Sequence, residues 1–292
     1  MNRQKQHAGS GAAPDVGGPE GRPRAVRQAS GLGVFYLLVF AWAWGVGLLF
    51  AVAGGPMVRT FGEVSLGNPL VFVTVWSPTI LAFAVSAVYG GRAGLRDLVG
   101  RILRWRFPLR WYLAATFGIA GVALGARFLQ AHLLGTAPPP VSDVARWPEF
   151  ATAGLAMMVL DPGPIGEDPG WRGFGLPKML ERFDPTTAAV LLGVIWAVWH
   201  LPAFLFSGMP QSSLPLGWFC LSMVSVTVLM AWVTINAGGA VIPAILMHWS
   251  FNRFSDLSQE GAIYAALAYT AAALVVILAT RGSLGFRRPL TR

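Results

Sequence analysis

Residues that could activate a water molecule are concentrated in the second half of the chain. The segment "PIGEDPGWRG" contains Glu167, Asp168 and Arg172, and His200 and His248 follow within a run that has no charged residue. A guanidinium nearby can hold a carboxylate in its ionised form. Such a carboxylate beside two imidazoles can activate water and stabilise an oxyanion. This set of side chains indicates hydrolysis as the candidate chemistry.

Each of the two histidines has a neighbour on the same helical face. "WAVWH" places Trp196 one turn before His200, and "HWSFN" places His248 one turn before Asn252. Ionisable groups within apolar spans are costly and usually face the interior of a helix bundle. We therefore expect both pairs to face a common interior.

Each feature also has a purely structural interpretation. Asp168 before Pro169 predicts an N-cap with proline at the first helical position, so a helix is expected to begin there. A lone histidine or asparagine in a span can serve only as a hydrogen-bond partner between helices. Asp161 is interpreted as a turn residue without a catalytic role. A functional site is favoured because these carboxylates, the arginine and the two histidines all occur in one half of an apolar chain.

The elements that must position these residues are membrane spans. The 292 residues are 54% hydrophobic and 12% charged, whereas a soluble domain is about a quarter charged. Several uncharged windows supply the roughly 20 apolar residues that a spanning helix needs. The sequence predicts an all-α, polytopic transmembrane helix bundle of about eight spans. The spans are expected within 28–58, 64–91, 111–135, 150–160, 187–206, 216–235, 240–257 and 261–280, and the fourth is unusually short.

Basic residues are concentrated before residue 28, in the loop 92–110 and after residue 280. Lys and Arg in short loops accumulate on the cytoplasmic side. With eight spans all three segments lie on that side, so we expect a multi-pass protein of the plasma membrane with both termini in the cytoplasm. The net charge of +9 indicates contact with the lipid surface. No nucleic-acid partner is expected, because the basic residues are divided among loops.

The three motifs together resemble those of a known family. "EDPGWRG" resembles the Glu-Glu-x-x-x-Arg motif, "WAVWH" the aromatic-x-x-x-His motif and "HWSFN" the His-x-x-x-Asn motif of the CPBP family. These are the CAAX protease and bacteriocin-processing enzymes, also called the Abi family. The resemblance implies an intramembrane endopeptidase whose eukaryotic relatives remove the three C-terminal residues of prenylated CAAX proteins.

The resemblance also implies a role for each matching residue. Glu167 is expected to activate the attacking water with His200 beside it. His248 and Asn252 are expected to hold the tetrahedral oxyanion. Arg172 matches the motif arginine, which is a structural or substrate-carboxylate partner.

Two supporting positions complete the comparison of motifs. Trp196 occupies the aromatic position, and Asp168 stands where the family has a second glutamate. Aspartate keeps the charge but moves it by about one methylene. Any role that requires the longer side chain of glutamate is therefore in question for Asp168.

Two ways of activating the water stay open. Glu167, His200 and His248 match a catalytic zinc set of two histidines and one carboxylate with an open position. They lack the His-Glu-x-x-His spacing that places two imidazoles on one helix face. The cofactor is unknown from sequence, with zinc as one candidate and a metal-free glutamate mechanism slightly favoured.

The expected domain organisation has four parts. Residues 1–30 are expected to be a disordered basic cytoplasmic tail, because they contain few large apolar residues. Residues 31–140 form an N-terminal transmembrane scaffold, and 141–280 form a catalytic transmembrane domain of CAAX-protease type. Residues 281–292 form a second basic cytoplasmic tail.

Two other classes of protein remain open. Broken helices and histidines at mid-membrane depth are compatible with a transporter. A transporter of this kind is expected to have similar motifs in its two halves, and the first half of this chain lacks them. A membrane scaffold or immunity-type pseudoenzyme would bind a partner and would not need Glu167. For the protease, the expected partners are the lipid bilayer and a membrane-associated peptide or protein substrate.

Overall fold

The computed structural model describes residues 21–137, 161–255 and 258–286, with the backbone alone for residues 21–30. Within these residues it contains nine helices and no strand. The predicted all-α, polytopic helix bundle is confirmed.

The nine helices of the described residues are numbered in chain order. They are α1 (Gly21–Val52), α2 (Gly54–Phe61), α3 (Pro69–Ile102), α4 (Leu109–Leu134), α5 (162–180), α6 (Pro185–Trp199), α7 (Leu216–Asn236), α8 (Ile242–Phe254) and α9 (Gln259–Ala279). Two short 3-10 turns, Leu201–Leu205 and Pro210–Ser213, connect α6 to α7.

Six of the described helices are long and apolar enough to cross a membrane, namely α1, α3, α4, α6 with its following turn, α7 and α9. The predicted span at 240–257 corresponds to α8, whose 13 residues fall short of the roughly 20 that a crossing needs. The predicted span at 150–160 lies outside the described residues, as do positions 1–20 of the predicted N-terminal tail and 287–292 of the C-terminal tail. The chain is an integral, multi-pass membrane protein.

The spans expose large apolar side chains on their outer faces. Leu37 and Leu48 of α1 and Leu278 of α9 are 68%, 63% and 75% exposed. Apolar surface of this extent on a soluble protein would cause association. On these helices it is the surface that contacts lipid.

Helix α3 is interrupted at Gly91. This residue has φ 56° and ψ −149°, a conformation that glycine adopts far more readily than other residues. The break separates the spanning part of α3 from a basic helix, 92–102. The predicted basic loop is therefore helical in its first part.

Helix α5 begins earlier than the sequence predicts. The Asp161 side chain accepts a hydrogen bond from the Gly163 N–H at 3.0 Å, and Pro162 is the first helical residue. Asp168 has helical angles, φ −64° and ψ −35°. The prediction that Asp168 caps a helix starting at Pro169 is wrong, because the earlier Asp-Pro pair provides the cap and leaves the Asp168 side chain free for other contacts.

The middle of α5 has the wider turns of a π-helix. This segment is Pro169–Gly175, which begins at the proline that would otherwise interrupt an α-helix. Proline has no N–H to donate to the preceding turn, and helices often accommodate such an interruption through a π segment. The chain thereby remains helical from residue 162 to 180 and keeps Glu167, Asp168 and Arg172 on the interior side.

Helix α5 packs against α3 with very close backbone contact. The Thr79 hydroxyl donates a hydrogen bond to the Ile165 carbonyl at 3.1 Å. A Cβ added to Gly166 would lie 3.0 Å from the Val75 carbonyl oxygen, and one on Gly170 would overlap the Pro78 carbonyl group. Two glycines thus allow α5 to lie directly on α3 beside its internal proline.

We predict that Gly170→Ala destabilises the protein by about 1–3 kcal/mol, because the new methyl group would push α5 away from α3. Gly45→Ala is the matched control, since a Cβ at Gly45 of α1 meets no atom within 4 Å. Unfolding of both variants in detergent, followed by circular dichroism, measures the difference. Equal stability of the two variants would contradict the described packing.

Candidate functional site

A cavity of about 740 Å³ lies within the helix bundle and is lined largely by apolar side chains. Glu167, Trp196, His200, His248 and Asn252 all contribute to its wall. The structure therefore brings together the four residues predicted to be catalytic and the motif tryptophan. They come from three helices, α5, α6 and α8, and from the residue directly after α6.

The Glu167 carboxylate is buried and oriented by a tryptophan. Its Oε2 atom accepts a hydrogen bond from the Trp196 indole N–H at 2.6 Å. A charge-assisted bond of this length fixes the carboxylate more firmly than a bond between neutral groups would. One oxygen of Glu167 is thus held at the cavity wall by the neighbouring helix.

Asp168 lies beside Glu167 but does not line the cavity. It is fully buried, and its two oxygens contact different partners. Oδ1 is 3.0 Å from Nη1 of Arg172, and Oδ2 is 3.1 Å from Nδ1 of His248. The shorter carboxylate at this motif position therefore reaches both neighbours.

Arg172 extends this set of contacts to α7. Its Nη2 donates a hydrogen bond to the Thr227 hydroxyl at 2.9 Å, and its guanidinium lies 4.2 Å from the centre of the Trp196 ring. Cation-π contacts of this kind are strongest when water is excluded. The sequence-predicted pairing of Arg172 with a carboxylate is confirmed, and that carboxylate is Asp168.

Trp196 is the common neighbour of the site residues. Besides its contacts with Glu167 and Arg172, its ring lies 5.1 Å from the His248 ring, and the two planes are at 85°. It is almost fully buried. The sequence identified this residue as the aromatic position of a motif, and the structure adds a hydrogen bond that holds Glu167.

His200 lies at the C-terminal end of α6. Its Nδ1 is 2.8 Å from the Trp196 carbonyl oxygen. A carbonyl only accepts, so Nδ1 carries the hydrogen, and in the neutral imidazole Nε2 has a lone pair. The ring also packs against Trp199 and Phe219, with centroid distances of 4.8 Å and 5.4 Å. Nε2 is therefore the ring atom of His200 that can form a further hydrogen bond, while the ring faces contact aromatic side chains.

Asn252 is exposed and lies one turn after His248 on α8. Its amide Nδ2 donates to Oδ2 of Asp161 at 3.2 Å. Asp161 also lines the cavity, so it is more than the turn residue that the sequence indicated. Its Asp-Pro pattern gives a cap signal, but nothing in the sequence connects it with α8.

Thr227 is a second contact that sequence reasoning missed. It is fully buried in the middle of α7 and supplies the hydroxyl that accepts from Arg172. A threonine within a span is common and carries no motif, so its partner is visible only when α7 is packed against α5.

The geometry does not fit the candidate zinc set of Glu167, His200 and His248. Within residues 21–137, 161–255 and 258–286, no three His, Cys, Asp or Glu side chains form a group that could hold a metal ion. Glu167, His200 and His248 are all in these ranges and are held by Trp196, by a backbone carbonyl and by Asp168, respectively.

The fold and the site together define a multi-pass membrane protein with a carboxylate and two imidazoles on the wall of an apolar cavity. Comparison with models of protein families matches residues 147–254 to the family described as Type II CAAX prenyl endopeptidase Rce1-like. The match covers just over a third of the chain and includes α5 to α8. A comparison with curated proteins found no match.

The family match confirms the resemblance to CAAX proteases that the three motifs indicated. This family implies protease activity and a peptide substrate within or at the membrane. The hydrolase, protease and transmembrane character predicted from sequence is supported by this match and by the apolar helices.

We predict that Thr227→Val destabilises the protein by about 1–3 kcal/mol, because it removes a hydrogen-bond partner of a buried guanidinium. Thr234→Val is the matched control on the same helix. The Thr234 hydroxyl is buried and has no hydrogen-bond partner among the described residues, so its removal should be neutral or slightly stabilising. Thermal unfolding in detergent compares the two variants, and equal effects would argue against the Arg172–Thr227 bond.

Proposed function

We propose that this protein is an intramembrane endopeptidase of CAAX-protease type that hydrolyses a peptide bond in a membrane-associated peptide or protein. The observation that carries the proposal is the Glu167 carboxylate, held by Trp196 at the wall of the apolar cavity that His200, His248 and Asn252 also line. These residues lie in the segment that matches the protease family.

Glu167 acts as the general base in this proposal. One oxygen is held by Trp196, and the other accepts a proton from a water molecule in the cavity. The lone pair on Nε2 of His200 accepts a second hydrogen bond from the same water and orients it. The water oxygen then forms a bond with the carbonyl carbon of the scissile peptide, and the carbonyl oxygen becomes an oxyanion.

His248 and Asn252 stabilise that oxyanion by donating hydrogen bonds from Nε2–H and from the side-chain amide. Donation from Nε2 while Nδ1 faces Asp168 requires a protonated imidazole. The charges of the cluster agree with this state. With His248 protonated, the buried charges of Glu167, Asp168, Arg172 and His248 sum to zero, so no net charge is buried in the apolar interior.

The second half of the reaction returns the proton. The protonated Glu167 donates its hydrogen to the nitrogen of the leaving amine as the carbon–nitrogen bond breaks, and the oxyanion collapses to a carboxylic acid. Asp168 and Arg172 lie behind the cavity wall, so their role is to position His248 and Trp196.

The location proposed from sequence is compatible with the described spans. The basic segment after Gly91 bonds the turn after α7 through Arg104 and Gly238, and the end of α7 bonds the C-terminal segment through Asn236 and Leu284. These segments therefore lie on one side, and so does the N-terminal segment, because two crossings, α1 and α3, separate it from the basic segment. We place this side in the cytoplasm, at the plasma membrane, because basic loops accumulate there.

We predict that Glu167→Gln lowers the rate of cleavage by about 10²–10⁴-fold, since the amide cannot accept the proton of the water. The assay uses purified protein in lipid vesicles with a library of membrane-tethered peptides. Glu181→Gln is the matched control, because Glu181 is an exposed residue that directly follows α5. A strong chelator should leave activity unchanged.

Two outcomes would contradict this proposal in different ways. Loss of activity with the chelator and its restoration by zinc would establish a metal-bound water. Absence of cleavage by the wild-type protein across a broad library would favour the scaffold or pseudoenzyme interpretation.

We also predict that Asn252→Ala lowers kcat by about 10²–10³-fold with little change in KM, because the amide bonds the oxyanion only as it forms. Asp161→Asn should have a smaller effect of the same type, since it weakens the acceptor that orients Asn252. Steady-state kinetics on one cleaved peptide separates the two parameters. A rise in KM at constant kcat would instead assign Asn252 to substrate binding.

A further inference from the structure

A second, smaller cavity of about 450 Å³ lies where the basic helix 92–102 meets the turn between α7 and α8. Its wall includes three guanidinium groups, those of Arg96, Arg101 and Arg104. None of these residues lines the catalytic cavity.

The turn between α7 and α8 is shaped to accept two of these arginines. Gly238 and Gly239 both have a left-handed backbone, with φ of 69° and 78°. Arg104 donates from Nη1 to the Gly238 carbonyl at 2.7 Å, and Nη1 of Arg101 would lie 3.2 Å from a Cβ on Gly239. The absence of side chains at both positions lets the guanidinium groups lie directly on the turn.

The cavity carries excess positive charge and unused hydrogen-bond donors. Among the described residues that line it, one carboxylate, Asp97, faces three guanidinium groups. Asp97 accepts from Nε of Arg101 at 3.0 Å, and Arg104 uses one N–H for Gly238. Each guanidinium has five N–H groups. Most of the donors therefore remain for an anion.

The surroundings of the cavity are those of a membrane surface. Leu103 and Trp105 are 66% and 61% exposed directly after the basic helix, and the Arg106 guanidinium lies 4.9 Å from the centre of the Trp105 ring. Tryptophan and arginine together are typical of the zone where lipid headgroups meet the hydrocarbon. The same basic segment is the one predicted to face the cytoplasm, where anionic lipids are concentrated.

We propose that Arg96, Arg101 and Arg104 form a binding site for the phosphate group of an anionic glycerophospholipid of the cytoplasmic leaflet. Guanidinium forks match the oxygens of a phosphate, and the exposed apolar side chains of Val99 and Leu103 lie beside them for the acyl chains.

The site joins α3 to the start of α8. Besides the bond from Arg104 to Gly238, the Arg101 carbonyl accepts from the Val241 N–H at 3.1 Å, immediately before the first residue of α8. A bound phosphate that bridges the arginines would hold this junction, and α8 carries His248 and Asn252. Lipid binding is therefore expected to stabilise the helix that supplies the proposed oxyanion donors.

The test measures lipid binding to purified protein in an uncharged detergent, by native mass spectrometry and by the shift in Tm. The probes are phosphatidylglycerol, phosphatidylcholine with the same acyl chains, and inorganic phosphate without lipid. Arg96→Gln is the informative variant, because Arg96 is exposed at the cavity and its removal leaves the bonds of Arg101 and Arg104 intact. Arg59→Gln, an exposed arginine of α2, controls for the loss of one charge.

We expect phosphatidylglycerol to raise the Tm of the wild-type protein more than phosphatidylcholine does. Arg96→Gln should weaken phosphatidylglycerol binding about fivefold, with Arg96→Lys intermediate and Arg59→Gln unchanged. Equal affinity of Arg96→Gln and Arg59→Gln, or equal shifts with the two lipids, would overturn the site. An equal shift with inorganic phosphate alone would overturn the assignment to lipid. None of these measurements depends on peptide cleavage.

Discussion

The site depends on one buried carboxylate that contacts both a guanidinium and an imidazole within an apolar bundle. Asp168 places one oxygen on Arg172 and the other on His248, and all three residues lie in the membrane protein's interior. Charges in such surroundings persist only when they are paired with good geometry. Since α5 contributes Asp168 and Arg172 while α8 contributes His248, the pairing also determines how these two helices face each other.

The helix that carries this carboxylate is unusual because it packs so closely on its neighbour. Gly166 and Gly170 let it lie against the backbone of α3 beside Pro78, and its π-helical centre accommodates Pro169. A regular helix with larger residues would lie farther from α3. The rigid, slightly irregular α5 thus places adjacent carboxylates in two environments, with Glu167 at the cavity wall and Asp168 behind it.

Most of the helix bundle could be predicted from the sequence because a helix that crosses the membrane requires a long segment without charged residues. The exception within the described residues is α8, where the glycines before it and Ser255 after it limit the predicted span at 240–257 to a helix of 13 residues. Motif spacing identified pairs on one helix, such as Trp196 with His200. It could not identify Thr227 or Asp161 as partners, because contacts between helices depend on packing that a single sequence does not reveal. The start of α5 was misplaced because two Asp-Pro pairs carry the same signal.

The two oxygens of Asp161 serve different helices. One caps the first turn of α5, and the other accepts from Asn252 on α8. Fraying of that first turn would remove the acceptor that orients the Asn252 amide. The local folding equilibrium of a single helical turn is therefore coupled to the geometry of the proposed site. A frayed α5 would leave the Asn252 amide without its Asp161 acceptor while the membrane spans remained intact.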